Sequence, residues 1–254
     1  MKKENRKLAQ EQRAAQRKKE EFKKNFKNSL KFSLPAIAII LLVVIIIWDP
    51  FTKKVEDGSL TTSGTNSSSN NNATENTEGT YTPKALDETL TYYADIDIKD
   101  YGMITVKLDQ KSAPISSANF VALAEDGFYN GLTFHRIIEG FMMQGGDPNG
   151  NGLGGSENNI VGEFTSNGYQ NNLLHTRGAI SMARSGSPNS ASSQFFIVHE
   201  DSPHLNGDYA VFGYVTEGMD VVDKVCEDAN PTDGNGTIPA EEQPIITSIT
   251  IRTE

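Results

Sequence analysis

The chain has 254 residues, 37% hydrophobic and 22% charged, enough apolar material for at least one sizeable core. Its net charge of -10 averages two opposed parts: residues 1–31 hold 12 Lys/Arg against 4 Asp/Glu, a local +8, and residues 32–254 hold 11 against 29, a local -18. So acidic a main part excludes a nucleic-acid binder that works by neutralising phosphates, and the single cysteine, Cys226, excludes an intrachain disulfide and any multi-cysteine zinc or iron–sulfur site.

Residues 1–31 are dominated by Lys, Arg, Glu, Gln and Ala, helix formers with few large apolar side chains to bury. Phe32 to Trp48 follows as 17 residues without a charge. At about 1.5 Å per residue such a helix reaches roughly 26 Å, the short end of what spans a bilayer, with Lys31 snorkelling and Trp48 and Phe51 at the far interface. Pro35 falls in its first turn, where proline disturbs a helix least. The run is too far from the N-terminus, and too poor in small residues where it ends at Trp48-Asp49-Pro50, for a cleaved signal peptide. It reads as a retained transmembrane helix over 32–48. The basic excess on its N-terminal side places residues 1–31 in the cytoplasm and the rest outside. Residues 49–83 are dominated by Ser, Thr, Asn and Gly and read as a flexible tether.

Residues 84–254 have the size of one domain. Met103–Asp109 and Ile245–Ile251 alternate apolar and polar residues as strands do, while Gln194–Val198 and Tyr209–Val215 read as strands buried on both faces or nearly so. One helix is expected from near Pro114, capped by Ser116 or Ser117 and stopped by Gly127; another carries Met219, Val221, Val222 and Val225. Many short strands with two helices suggest a mainly β fold, a closed β-barrel capped at its ends. The glycine cluster 145–155 places Asp147, Asn149, Asn151 and Gly152 at positions 1, 3, 5 and 6 of a calcium loop, but Asn158 stands where a bidentate Glu is required, so a surface loop is the better reading. His135, His175, His199 and His204 lack metal-ligand spacing, and no nucleophile elbow, phosphate loop or H-E-x-x-H is present.

Phe134-His-Arg-Ile-Ile-Glu-Gly-Phe-Met-Met-Gln-Gly-Gly-Asp147 resembles the signature of the cyclophilin family of peptidyl-prolyl cis–trans isomerases. The likeness continues, in order and with family-like spacing, through Gly178–Ala183, Ser193–Ile197 and Leu205–Gly213. It implies an eight-stranded antiparallel β-barrel capped by two α-helices, and an isomerase.

That chemistry needs no nucleophile, metal or cofactor. Rotation about an X–Pro bond breaks amide resonance against a barrier of about 18–20 kcal/mol. A catalyst need only grip the proline ring and bind the twisted amide better than the planar one. By the resemblance, Arg136 donates to the twisted imide nitrogen and the prolyl carbonyl, as a rigid, permanently charged fork can. Phe141, Met142, Phe196 and Leu205 match the proline pocket. Gln144 matches the amide that binds the substrate backbone, Ala183 and Arg184 line the groove for the preceding residue, and Gln194 lies beside the pocket. Where members that bind cyclosporin tightly carry Trp and His, this chain has His204 and Tyr209. Tyr209 keeps an aromatic ring with a hydroxyl, whereas His204 lacks the indole N–H, so weak cyclosporin binding is expected.

The sequence thus describes a single-pass cell-membrane protein with an extracytoplasmic, cyclophilin-like isomerase domain acting on X–Pro bonds of exported or surface polypeptides during folding. The competing reading is a barrel that grips proline-containing segments as a chaperone or scaffold without turnover.

Overall fold

A computed structural model describes residues 80–254 and the backbone of Thr74–Glu75. The expected cytoplasmic tail, the transmembrane helix over 32–48 and most of the tether lie outside the described residues, and no helix within them is long and apolar enough to cross a membrane. In chain order come β1 (Thr74–Glu75), β2 (Tyr81–Thr82), β3 (Tyr92–Ile98), β4 (Gly102–Leu108), α1 (Pro114–Glu125), β5 (Thr133–Ile138), β6 (Met142–Asp147), β7 (Ala179–Met182), β8 (Phe195–Val198), β9 (Val211–Glu217), α2 (Met219–Asp228) and β10 (Ile246–Thr253). Strands β1 and β2 pair with each other; the remaining eight form one antiparallel sheet in the order β10-β3-β4-β9-β7-β8-β6-β5.

The expected closed barrel is corrected in one respect. The sheet curls until its outer strands, β5 and β10, approach, but no ladder joins them. A lone bridge pairs Thr133 with Ile245, helped by Gly131 N–H to Ile246 O at 2.8 Å and Phe134 N–H to Pro244 O at 2.9 Å. The seam is one bridge with a few flanking backbone bonds, so the architecture is a curled, open eight-stranded sheet with two helices.

Alternation decides what each strand buries. In β3, Tyr92, Ala94, Ile96 and Ile98 face inward between half-exposed neighbours. In β8 all four residues are buried, as an apolar run predicts, whereas β9 is buried only in its first half. The interior packs Phe120, Tyr129, Phe134, Phe195 and Phe212, with Phe120 edge-on to Phe195 at 5.3 Å and beside Phe212 at 5.2 Å.

Helix α1 begins where Pro114 suggests, but neither Ser116 nor Ser117 caps it. Its N-cap is Ala113, which makes no side-chain bond. The free amides of Ile115 and Ser116 instead donate to the buried Glu163 carboxylate at 2.8 and 2.7 Å. Gly127 follows the helix end with φ +70°, where a Cβ would be strained. Helix α2 buries Val222, Val225 and Cys226.

Candidate active site

The sheet has two apolar layers because its residues alternate. Ile137, Met143, Ile180, Phe195 and Ile197 point into the main core. Their neighbours Met142, Ala179, Phe196 and Val198 point the other way and join Val211 in a second cluster, onto which Phe141, Ala183, Leu205 and Tyr209 pack. Register aligns the outer face. Arg136 is opposite Gln144, Gln144 opposite Phe196, and Phe196 opposite Ser181, a row across four strands.

Arg136 reaches that row through a bulge. Phe134 pairs with Gly145 and Arg136 with the adjacent Gln144, so His135 is an extra residue on β5. In a regular strand Arg136 would share the inward face of Phe134; the inserted residue turns it outward. Gly145 permits the close approach, since a Cβ there would lie 2.7 Å from Thr133 O.

A cavity of about 420 Å³ opens over the row. Arg136, Phe141, Met142, Gln144, Ala183, Arg184, Phe196, Leu205 and Tyr209 all line it, nine of the eleven residues expected from sequence. The guanidinium of Arg136 is tied on one side only. Its Nε donates to Asn235 O at 2.7 Å, and Nη1 to Gln144 Oε1 at 3.3 Å and Met142 Sδ at 3.6 Å. Among the described residues no acceptor takes the Nη2 hydrogens. The Phe141 ring centre lies 5.9 Å from its Cζ. Burial pulls the Arg136 pKa down from its ordinary value, with Tyr209 and Asp233 opposing. Partial removal from water strengthens any interaction that cation makes inside the cavity.

Gln194 stands behind the site. Its Oε1 accepts from Gln144 Nε2 at 2.9 Å, and its own Nε2 donates to Gly154 O at 2.7 Å. This fixes the amide orientation of Gln144 and presents its oxygen towards Arg136. Arg184 lies between two rings, its Cζ 4.9 Å from the Phe164 centre and 4.7 Å from that of Tyr209, with Nε bonded to Asp208 O. Tyr209 in turn meets Phe196 edge-on at 5.9 Å. His204 is exposed and outside the cavity lining, its ring 5.4 Å from that of Phe141.

Three parts of the site carried no recognised signal. The loop at Asn235 holds Arg136 through a backbone carbonyl, and Asp233 shapes it by accepting from the amides of Asn235 and Thr237. His135, buried, has neither ring nitrogen paired; burial lowers its pKa, with Asp147 raising and Arg136 lowering it further. The glycine-rich loop supplies Gly150 to Leu153 to the cavity wall. Its Asp147 carboxylate accepts amide hydrogens from Asn149, Asn151 and Gly152. Burial raises that carboxyl, but these bonds outweigh it and leave the pKa below the ordinary range.

The comparisons with known proteins agree on this region. The family model described as "Cyclophilin type peptidyl-prolyl cis-trans isomerase/CLD" matches residues 93–251. A peptidyl-prolyl cis-trans isomerase of Helicobacter pylori is 46% identical over 148 residues, 58% of this chain and 88% of the relative. The peptidyl-prolyl cis-trans isomerase B of Bacillus subtilis is 48% identical over 123 residues, 48% of this chain and 82% of the relative. A Cryptosporidium parvum cyclophilin type peptidyl-prolyl cis-trans isomerase, crystallised in the presence of the dipeptide Ala-Pro, superposes with a TM-score of 0.56 at 32% identity, covering 64% of this chain and 99% of that one.

Proposed function

The chain belongs to the cyclophilin-type peptidyl-prolyl cis–trans isomerases, and from that premise we propose that Arg136 is its catalytic donor and that its substrates are X–Pro segments of exported or surface polypeptides, whose folding it assists. The observation that carries the Arg136 role is the unequal use of its guanidinium. Nε and Nη1 are bound to protein groups, while both Nη2 hydrogens remain for a ligand in a cavity walled by Phe141, Met142, Phe196 and Leu205. A proline ring suits that apolar wall. As the amide twists, its nitrogen gains a lone pair that accepts an Nη2 hydrogen, an interaction the planar ground state cannot make. Gln144, held by Gln194, offers its amide to the substrate backbone, and Ala183 and Arg184 border the path of the preceding residue. No covalent bond forms.

The reading extends to location: a membrane helix over 32–48, a tether over 49–83 and the isomerase outside the cell membrane. Support for it is the uncharged run and the basic excess before it.

The test is relaxation of a cis X–Pro peptide by the full chain. Wild type should accelerate it, and Arg136→Ala should lose about 10²–10³-fold in kcat, the cost of one preorganised donor. Full activity in the variant would overturn the role given to Arg136. Fast wild-type binding of the peptide without turnover would leave a proline-segment binder. In the same assay cyclosporin should inhibit only weakly, because the exposed His204 supplies no indole N–H; nanomolar inhibition would contradict that.

A further inference from the structure

Behind Phe141 lies a polar network that none of the site residues above includes. Phe141 follows a tight turn: its N–H donates to Ile138 O at 3.0 Å, and Gly140 has φ +78°, as the third residue of a type II turn requires. His199, just past β8 and only 8% exposed, grips this turn twice. Its backbone N–H donates to Phe141 O at 2.8 Å, and its ring Nδ1 lies 2.9 Å from the Gly140 nitrogen.

A backbone amide can only donate, so Nδ1 must be unprotonated and the ring proton sits on Nε2. Nε2 faces Asp223 of α2 at 3.0 Å. Asp223 is itself paired with Arg177 at 2.7 Å, and Arg177 Nη1 donates to His199 O at 2.8 Å. The ring is therefore locked in orientation and tautomer by a closed circuit: Asp223, Arg177 and its own carbonyl. Such a circuit is more than a buried histidine needs for satisfaction. It aims one lone pair at the amide next to the cavity wall.

We propose that His199 is a positioning residue of the isomerase, holding Phe141 in place through Gly140. This rests on the active-site reading above. Loss of that acceptor would release the turn and loosen the pocket. The effect falls on substrate binding, because Phe141 grips the ring of proline whereas Arg136 acts on the twisted amide. The other charged groups about the ring and turn are Glu139 beside Gly140, Glu200, whose carboxylate lies against Gly140, and Asp201, which accepts from Arg177 N–H. The Cys226 thiol on α2 is pushed up to about 12 by burial, then by Asp223 and Glu139, and takes no part.

The test compares the full chain with His199→Phe and His199→Asn. Phe fills the space without an acceptor. Asn places Oδ1 where Nδ1 stood and accepts the Gly140 amide. His199→Phe should raise KM roughly fivefold, the worth of one hydrogen bond, with kcat within twofold. His199→Asn should keep the wild-type KM. Exchange of the Gly140 amide proton, followed by NMR, should be fast in the Phe variant and slow in wild type and Asn. A folded His199→Phe with wild-type KM, or a folded His199→Asn whose KM rises as far as that of His199→Phe, overturns the proposal. A wild type that does not turn over peptide overturns the isomerase reading instead, and the Gly140 exchange then still reports whether the tether exists.

Discussion

Single side chains show how little separates the two faces of this sheet. One inserted residue, His135, moves Arg136 from the core to the cavity, and the insertion leaves an imidazole buried with neither nitrogen paired. Burial, the main cause, holds its pKa below the ordinary histidine value. The sign follows from proton counting: below about 6.5 the unfolded chain takes up a proton that the folded ring refuses. This share of stability is complete above that pH and is lost as the pH falls towards the folded value. His135→Leu should therefore flatten the acid limb of stability by up to ~1.4 kcal/mol per pH unit, other groups cancelling in the comparison. Urea unfolding of both proteins at several pH values between 7 and 5 checks it; identical slopes would refute it.

At the scale of elements, what was legible in the sequence depended on whether the cause was local. The apolar run in β8 and the alternation in β4 and β10 are local, and all three strands stand close to where periodicity puts them. Tyr92–Ile98, which alternates as plainly, is a strand beyond those expected. Strands β5 and β6 have no clean period, because register shifts and two glycines interrupt them, and no strand is expected there from periodicity. The cap of α1 is not local at all. Glu163 lies 47 and 48 residues beyond the amides it binds, and no capping pattern spans that distance. The nine residues gathered at the cavity were legible through the resemblance. The carbonyl of Asn235 was not, since any residue supplies a carbonyl.

The same helix start gives a direct test. Glu163 is fully buried, and burial raises its pKa while the Ser116 and Ile115 bonds oppose. Glu163→Ala leaves one buried and one half-buried amide unpaired at the start of the helix that carries Phe120 into the aromatic core. It should cost about 2–4 kcal/mol, and Glu163→Gln, which keeps one acceptor, less. Denaturant midpoints of the three proteins read this, and an unchanged midpoint for Glu163→Ala would show that the carboxylate caps nothing of consequence.

For the whole chain, the proposed arrangement is an acidic isomerase held to a membrane by a basic-flanked helix. Protease added from the cytoplasmic side should remove residues 1–31 and spare the domain, while protease from outside should cut within the Ser/Asn-rich 49–83 and release an active fragment. The reverse pattern would refute the orientation.

The pairing of β3 with β10 has a consequence for how this molecule is made. The first strand of the eight-stranded sheet is zipped to the last: Asp95 holds Arg252 at 2.9 Å across 157 residues of chain, and Thr91 and Glu254 exchange backbone bonds. A polypeptide emerging amino end first therefore presents Tyr92–Ile98 as an unpaired edge until residues 246–253 arrive. Contacts of such long range also make a topology slow to form. Any nascent chain that stalls before Ile246 carries an open strand.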